Sequence, residues 1–251
     1  MTSLLTLPCA DPIQGQQLCQ DYGFALMHTP PPQGVYLCLD EHGLSLRHAD
    51  KKGQVSVNFI SGSLDYRRQK GGGELINKAI NHKHNHTVWD FTGGLGRDAF
   101  IMASSGLTVT VFERHPAVAA LLADGLQRAA AAPELASIMA NITLHHLDVF
   151  APDLAWANIG PRPDVVYLDP MYPDSKKSAA VKKEMAYFHE LVGAGDDAGD
   201  LLPLALGLAK KRVIVKRPRL GEWLNQIEPA YQYLGKSTRF DGYAPVQAND
   251  L

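Results

Sequence analysis

The sequence predicts an α/β protein in which a mostly parallel sheet is covered by helices on both faces. From residue 87 onward, five short apolar runs alternate with stretches rich in Ala and Leu, as in successive βαβ units. A glycine-rich turn follows the first run, and acidic residues follow several of the others. The chain has 251 residues, of which 45% are hydrophobic, so it is long enough to bury such a core.

The first 75 residues follow a different pattern. The runs 35–39 and 44–47 flank turn residues and alternate as two antiparallel strands do, and 55–59 alternates again. We expect a small, mostly antiparallel sheet of three or four strands here. We therefore divide the chain into a small N-terminal β-rich region, 1–75, and a larger domain, 76–251.

Within the larger domain, each apolar run is assigned to a strand and each Ala/Leu-rich stretch to a helix. Strands are predicted at 87–91, 107–112, 142–146, 163–168 and 212–216. Helices are predicted at 74–80, 98–105, 117–131, 178–191 and 201–209. The tail holds a helix-like stretch around 223–227 and two further strand candidates at 231–234 and 239–243.

Composition excludes several classes of protein. With 24 basic and 26 acidic side chains, the surface cannot be basic throughout. No stretch approaches the roughly 20 apolar residues of a membrane helix, and the N-terminus lacks a signal-peptide pattern. We therefore expect a cytoplasmic protein with no membrane partner.

The cysteines and histidines suggest neither a disulfide framework nor a metal site. The chain has three cysteines, Cys9, Cys19 and Cys38. Their odd number and wide spacing predict buried or half-buried thiols in a reducing compartment. His82, His84 and His86 alternate in a polar stretch without nearby Cys or acidic residues, which is typical of a solvated loop, so no metal is expected.

The glycine-rich turn is the strongest local signal. The strand at 87–91 carries Asp90 near its end, and the following residues 94–99 fit the pattern GxGxxG/A. Glycines such as Gly94 and Gly96 let the backbone pass close to a ligand, and the helix that follows offers free N–H groups. This pattern alone is weak, because a tight strand-to-helix turn without a ligand also fits.

Two further acidic residues strengthen the prediction of a ligand. Glu113 ends the second strand and can accept two hydrogen bonds from a ribose diol. Asp148 follows the third strand and could reach an adenine amino group. Each acid alone could cap a helix, but with Asp90 they stand at three successive strand ends. An NAD(P)-dependent dehydrogenase shares the glycine turn and Glu113, and is the rival hypothesis.

The fourth strand ends in Asp169-Pro170-Met171-Tyr172-Pro173. This resembles the (D/N)-P-P-(F/Y/W) motif of S-adenosylmethionine-dependent methyltransferases that act on exocyclic amino groups of nucleobases, with Met171 as a departure. The Asp169 carboxylate and the Pro170 carbonyl can hold an amino group, and Tyr172 offers a face for stacking. These three are the predicted catalytic residues. Adenine N6, cytosine N4 and guanine N2 all suit this tip, and a proline-rich turn with a packed tyrosine is the structural alternative.

Basic residues cluster on both sides of this motif in the sequence. Between residues 176 and 219 there are ten basic residues and five acidic ones. Phosphate contacts position a nucleic acid without reading its sequence. The predicted RNA contacts are Lys176, Lys177, Lys182, Lys183, Lys216 and Arg217, with a second group at Arg67, Arg68 and Lys70. Solvated lysines on a helix face are the ordinary alternative.

The longer motifs resemble those of the bacterial ribosomal RNA small subunit methyltransferase J family. They are Asp-x-Thr-x-Gly-Leu-Gly-Arg-Asp-Ala-Phe at 90–100, Glu-Arg-x-Pro at 113–116, Tyr-Leu-Asp-Pro-Met-Tyr-Pro at 167–173, Lys-Ser-Ala-x-Val-Lys-Lys-Glu-Met at 177–185 and Val-Lys-Arg-Pro at 215–218. The resemblance covers about 55–245.

This resemblance implies methylation of guanine N2 at one position of 16S rRNA, with S-adenosylmethionine as donor, S-adenosylhomocysteine as product and no metal. It also implies a Rossmann-like fold whose seven-stranded, mostly parallel sheet ends in an antiparallel hairpin. The substrate would be 16S rRNA or the small ribosomal subunit, with no obligate protein partner.

The cofactor residues come partly from the glycine turn and partly from the resemblance. The full set is Asp90, Gly94, Gly96, Arg97, Asp98, Glu113, Arg114, Asp148, Val149 and Asp169. Three alternatives stay open: an adenine-N6 or cytosine-N4 methyltransferase, an NAD(P)-dependent oxidoreductase, and an RNA-binding module without activity.

Overall fold

The computed structural model describes residues 2–60, 73–170, 186–188, 190–193 and 199–245. Within these ranges, the strands form one sheet of five and one of seven. No helix in the same ranges is long and apolar enough to cross a membrane.

The five-stranded sheet belongs to the N-terminal region. Its strands are β1 (Ser3–Thr6), β2 (Ala25–Met27), β3 (Val35–Asp40), β4 (Gly43–His48) and β5 (Gln54–Val55), and helix α1 (Pro12–Tyr22) connects β1 to β2. The order is β2-β1-β3-β4-β5, with β1 parallel to both of its neighbours and the β3–β4 and β4–β5 pairs antiparallel.

The prediction for this region was correct for its centre and incomplete at its ends. The antiparallel pair at 35–39 and 44–47 is confirmed as β3 and β4. The sheet has five strands instead of three or four, because β1 and β2 are too short to show a clear alternation. At 55–59 only Val55 joins the sheet, although Val57 and Phe59 are also buried.

The seven-stranded sheet confirms all seven strands predicted after residue 86, to within two residues at each end. They are β6 (Thr87–Asp90), β7 (Thr108–Glu113), β8 (Ile142–His146), β9 (Val165–Leu168), β10 (Arg212–Pro218), β11 (Tyr231–Leu234) and β12 (Thr238–Tyr243).

The helices are α2 (Glu74–Ile80), α3 (Arg97–Ser104), α4 (Pro116–Ala130), α5 (Pro133–Met139), α6 (Trp156–Ile159) and α7 (Leu201–Leu208), with a 3-10 turn at Leu224–Gln226. Residues 186–188 and 190–192 are also helical. Most of the helix predicted at 178–191 lies outside the described residues. Helices α5 and α6 were not predicted, since they span only two turns and one turn.

The strand order of the large sheet is β11-β12-β10-β9-β6-β7-β8. Its pairs are parallel except those of β12, which runs antiparallel to both β10 and β11. This arrangement confirms the predicted Rossmann-like sheet with a terminal antiparallel hairpin. From β6 the chain adds β7 and β8 on one side, and it then crosses back to form β9 on the other side of β6. Ligands of such sheets bind outside the carboxyl ends of the strands, at the point where the strand order reverses.

The two sheets are joined through a common hydrophobic core. Leu44 and Leu46 of β4 are fully buried in the same cluster as Leu121 of α4. Arg128 of α4 also donates from Nη2 to the Val57 carbonyl oxygen at 2.6 Å. The boundary predicted near residue 75 stays a prediction.

The segment that follows the Asp-Pro tip is fixed to the small sheet where the structure describes it. Tyr187 is fully buried, and its hydroxyl lies 3.4 Å from the carbonyl oxygens of Lys51 and Lys52. Glu190 Oε2 lies 3.2 Å from His48 Nε2 on β4. The N-terminal region therefore anchors Tyr187 and Glu190.

The cysteines partly follow the sequence prediction. Cys38 is buried and Cys19 is partly buried, as expected, and all three are free. Cys9 is exposed, so the prediction was wrong there, because this residue lies in the turn after β1.

Candidate active site

Asp90, the last residue of β6, is the most enclosed acid of the predicted set, with 2% of its surface exposed. Its Oδ1 accepts hydrogen bonds from the Thr92 backbone N–H at 2.9 Å and from the Thr92 hydroxyl at 3.1 Å. Burial is the largest cause that raises the pKa of Asp90, and the nearby carboxylates of Asp98 and Asp169 add to it. The Thr92 hydrogen bonds oppose this shift, and together these effects raise the pKa to about 7.

Thr92 connects two strand tips. Its Oγ1 accepts a hydrogen bond from the Asp169 backbone N–H at 2.6 Å while the hydroxyl donates to Asp90. A chain of hydrogen bonds therefore runs from the tip of β9 through Thr92 to the tip of β6. Sequence reasoning missed this role, although a hydroxyl residue two positions after a strand-end Asp is a signal that could have shown it.

The glycine turn lies directly against the tip of β7. Gly94 donates from its backbone N–H to Glu113 Oε2 at 2.9 Å. Gly94 and Gly96 have φ angles of +51° and +69°, which favour glycine. A Cβ atom at Gly93 would lie 2.5 Å from Cγ1 of Val111, so no side chain fits there. The predicted strand, glycine turn and helix are confirmed, while the cofactor contact of this turn stays a prediction.

Glu113 accepts one backbone N–H at each of its carboxylate oxygens. Oε2 receives Gly94, and Oε1 receives His115 at 2.8 Å. Burial raises the pKa of Glu113, and these two N–H groups oppose that shift. Each carboxylate oxygen has two lone pairs, so both can also accept a ribose hydroxyl.

Asp148 follows β8, the neighbour of β7, and so lies at the same edge of the sheet. Its Oδ1 accepts the Phe150 backbone N–H at 2.9 Å, which orients the carboxylate. Val149 is buried in the cluster that contains Phe112 and Trp156. The predicted adenine contacts therefore lie just after His146, the β8 residue that pairs with Glu113.

A lysine connects the remaining acids. Lys216 of β10 places its Nζ 2.6 Å from Asp98 Oδ2 and 2.6 Å from Asp169 Oδ2. The Tyr167 hydroxyl donates to the same Asp98 oxygen at 2.8 Å. Burial lowers the pKa of Lys216, but the carboxylates of Asp98 and Asp169 outweigh it, so the pKa is raised and the ammonium stays charged.

The predicted RNA contacts Lys216 and Arg217 are not on an open basic face. Lys216 points to carboxylates, as described above. Arg217 is 6% exposed and donates from Nε to the Glu222 carbonyl oxygen at 2.9 Å. Arg97 and Arg114, by contrast, are exposed at the start of α3 and after β7. The binding roles of all four stay predictions.

Several predicted residues lie outside the described ranges. They are Tyr172, Arg67, Arg68, Lys70, Lys176, Lys177, Lys182 and Lys183. Pro170 is described and is buried directly after Asp169.

The acidic side chains at the carboxyl ends of the strands, which we call the rim, suit a nucleoside ligand that also carries a positive charge. Five carboxylates follow or adjoin four strand ends: Asp90, Asp98, Glu113, Asp148 and Asp169. They offer acceptors for ribose hydroxyls and for an ammonium group, and they would repel the diphosphate of a dinucleotide. In the part of the chain that the structure describes, no three His, Cys, Asp or Glu side chains are grouped as metal ligands.

Comparisons with known proteins agree with this chemistry. A family model described as "Putative SAM-dependent methyltransferase" matches residues 17–245. Proteins named ribosomal RNA small subunit methyltransferase J are similar over most of their length. One from Neisseria meningitidis is 55% identical over 228 residues, 91% of each chain. One from Marinobacter nauticus is 44% identical and covers 96% of this chain and 90% of its own.

A solved structure agrees as well. The crystal structure of an S-adenosylmethionine-dependent methyltransferase from Neisseria gonorrhoeae matches with a TM-score of 0.82 and 49% identity, covering 98% of this chain and 97% of the other. With the acidic rim, the glycine turn and the strand order, these similarities decide between the two enzyme classes that share the turn. The chain belongs to the S-adenosylmethionine-dependent methyltransferases, in the family of ribosomal RNA small subunit methyltransferase J.

Proposed function

We propose that this protein methylates the N2 amino group of one guanosine in 16S rRNA, with S-adenosylmethionine as the donor. The observation that carries the proposal is the position of Asp169 and Pro170. They directly follow β9, which lies beside β6 in the sheet, and Thr92 and Lys216 connect Asp169 to the rim where the cofactor would bind. We place the reaction in the cytoplasm, on 16S rRNA or the small subunit, with no obligate protein partner.

The acids and the glycine turn would hold the cofactor. Glu113 would accept the ribose hydroxyls, Asp148 with Val149 would receive the adenine, and the turn from Asp90 to Asp98 would enclose the amino-acid end. Arg97, Arg114, Gly94 and Gly96 complete this proposed set. When bound, S-adenosylmethionine supplies a methyl group activated by its sulfonium, and the transfer is a single displacement that needs no metal.

Asp169 and the Pro170 carbonyl would prepare the guanine amino group. The nitrogen lone pair of this group is delocalised into the ring, so the amino group is a poor nucleophile. Hydrogen bonds from its N–H groups to these two acceptors favour a pyramidal nitrogen and release the lone pair. The Asp169 carboxylate also stabilises the positive charge that develops on nitrogen, and the proton leaves afterwards through Asp169 or water.

RNA contacts outside the described residues complete the proposal. Lysines after the Asp-Pro tip and the Arg67–Lys70 group would bind phosphates, and Tyr172 would stack on the target base. Replacing Lys182 and Lys183 together by Ala should weaken RNA binding and flatten its salt dependence, since each phosphate contact contributes about 0.7 to 0.9 to the salt slope. An unchanged salt slope would show that neither lysine contacts the RNA phosphates.

Mass spectrometry of the product tests the proposed function directly. Small subunits from a strain that lacks this gene would be incubated with the purified protein and isotope-labelled S-adenosylmethionine, and the rRNA digested to nucleosides. We expect one additional labelled N2-methylguanosine per subunit. Labelled N6-methyladenosine or N4-methylcytidine would support the alternative amino-group targets. The absence of any label from the RNA and the subunit would contradict the proposal.

A further inference from the structure

We propose that Lys216 is a positioning residue of methyl transfer, whose ammonium holds the carboxylates of Asp98 and Asp169 in place and keeps both ionised. This inference rests on the proposed roles of Asp98 in cofactor binding and of Asp169 in holding the amino group. It assigns to Lys216 a role inside the site, in place of the RNA contact predicted from its position in a basic stretch.

The sheet places Lys216 at the site. Val215 of β10 pairs with Leu168 of β9, so the next residues along the two parallel strands are Lys216 and Asp169. The three residues before Lys216 are fully buried, and its side chain is only 26% exposed. A lysine that emerges from the buried part of a strand needs carboxylate partners, because an unpaired charge is costly there.

The two contacts join parts of the site that are separate in the chain. Asp98 lies in the first turn of α3, directly after the glycine turn, whereas Asp169 is the first residue after β9. Each has an Oδ2 atom 2.6 Å from the same ammonium. Tyr167 adds a third connection, from β9 to Asp98, at 2.8 Å. Lys216 therefore sets the separation between the cofactor loop and the tip that would hold the substrate amino group.

The charges around Lys216 explain why its ammonium matters. In the part of the chain that the structure describes, the ionisable groups that face one another here include Asp90, Asp98, Asp169, Tyr167 and Lys216. Three of them are carboxyl groups, and the carboxylates of Asp98 and Asp169 already raise the pKa of Asp90, where burial is the larger cause. Without the ammonium, Asp98 and Asp169 would repel each other, and their pKa values would rise. A protonated Asp169 could no longer stabilise positive charge on the amino nitrogen.

The test compares Lys216→Met, Lys216→Gln and Lys216→Arg with a matched control, Lys211→Met. Lys211 directly precedes the same strand, at its other end and outside the site. Single-turnover rates with saturating cofactor and RNA would be measured from pH 5.5 to 9, with S-adenosylhomocysteine affinity and thermal melting as independent measurements. Both neutral variants should be slower by about tenfold or more, and the acid limb of their pH–rate profile should move up by about one pH unit or more. Lys216→Arg should return the acid limb to its wild-type position, and Lys211→Met should have the rate and the pH–rate profile of the wild type.

Three outcomes would overturn this role. Normal rates per folded molecule with an unmoved acid limb would make Lys216 a purely structural residue. A limb that moves but is not restored by Lys216→Arg would show that the charge is not the cause. Weaker RNA binding and a smaller salt slope, with an unmoved limb, would make Lys216 a phosphate contact. If Lys216→Met does not fold, Lys216→Gln gives the same measurement.

Failure of the proposed site itself would be distinguishable. If Asp169→Ala kept a normal single-turnover rate, the assignment of the amino-holding group would be wrong whatever the Lys216 variants did. If Asp169→Ala were slow while the neutral Lys216 variants behaved as wild type, only the inference about Lys216 would fail.

Discussion

Two Asp–Lys pairs connect β9 and β10, one at each end of the strands. At the amino end, Lys211 Nζ lies 3.0 Å from Asp164 Oδ1. At the carboxyl end, Lys216 Nζ lies 2.6 Å from Asp169 Oδ2. The two aspartates are five residues apart in the chain, and so are the two lysines. The pairs therefore differ mainly in what surrounds them.

The amino-end pair has the surroundings of a structural contact. Asp164 Oδ2 accepts backbone N–H groups of His86 at 2.8 Å and Thr87 at 3.4 Å, which ties the entry of β6 to that of β9. Burial raises the pKa of Asp164, but the His86 N–H and the Lys211 ammonium outweigh it, so the pKa is lowered. The ionised form is therefore the one that stabilises the fold.

At the carboxyl end the ammonium is shared between two carboxylates, with the buried Asp90 close by. Here burial and repulsion raise the pKa of Asp90 to about 7. Carboxyl groups arranged in this way cost stability, and such costs concentrate at sites of chemistry. The same type of ion pair thus lies among backbone donors at the amino end and among the acids of the proposed active site at the carboxyl end.

Replacing the two aspartates by Ala should separate these roles with the largest effect. Asp169→Ala should lower the single-turnover methylation rate by about 10²-fold or more, the usual scale for loss of an electrostatic contact at a transition state. Asp164→Ala should instead lower the free energy of unfolding by about 1–3 kcal/mol, since its N–H partners lose their acceptor. Rates would be measured per folded molecule, and a slow Asp164→Ala enzyme would contradict the division between the two ends.

Asp90→Asn should remove a loss of stability that the wild-type protein undergoes as the pH rises. The Asp90 carboxyl stays protonated in the fold up to about pH 7, whereas in the unfolded chain it ionises near its ordinary value of 3.8. Its contribution to stability is therefore complete below pH 4 and is lost as the pH rises to 7. Asn cannot ionise, so the melting temperature of the variant minus that of the wild type should rise by several degrees across this window.

Asp164→Asn is the control, because the stability that Asp164 contributes should depend on pH with the opposite sign. Because the folded-state pKa of Asp164 is lowered, its stabilisation is present above its unfolded pKa and is lost as the pH falls through the folded value. The melting difference for this variant should therefore shrink only in the acid range. A flat difference for Asp90→Asn between pH 4 and 7 would mean that Asp90 ionises normally in the fold.

Much of this arrangement is predictable from residue patterns. The seven strands follow from short apolar runs, and the parallel sheet brings the acids after those runs to one edge. The position of Lys216 is not predictable in the same way. A lysine near a strand end reaches either solvent or the rim, and a basic stretch favours the former. Strands β1 and β2 were also missed, because they have four and three residues and their pairing is set by the rest of the sheet.

Thr92→Val tests the hydrogen-bond chain between the tips of β6 and β9. Valine keeps the shape of threonine but leaves the Asp169 N–H without its acceptor and removes one donor from the buried Asp90. We expect a loss of about 1–3 kcal/mol in the free energy of unfolding, measured by chemical denaturation. Thr108→Val, on the exposed start of β7, is the matched control and should change stability by less than about 0.5 kcal/mol. Equal effects of the two substitutions would show that the hydrogen bonds through Thr92 do not stabilise the fold.

Lys211→Met should have the smallest effect of these substitutions. The Lys211 side chain is 48% exposed, so water and salt screen its attraction to Asp164, and the backbone donors of His86 and Thr87 remain when it is removed. Exposed pairs of this kind contribute about 0–1 kcal/mol, which corresponds to a melting shift of at most about 4 °C for a chain of this size. That shift should shrink further at high salt, while the methylation rate and its pH profile stay those of the wild type. A rate loss in Lys211→Met comparable to that of Lys216→Met would contradict a difference in function between the two ends of β10. It would show that a lysine at either end supports the reaction through the fold alone.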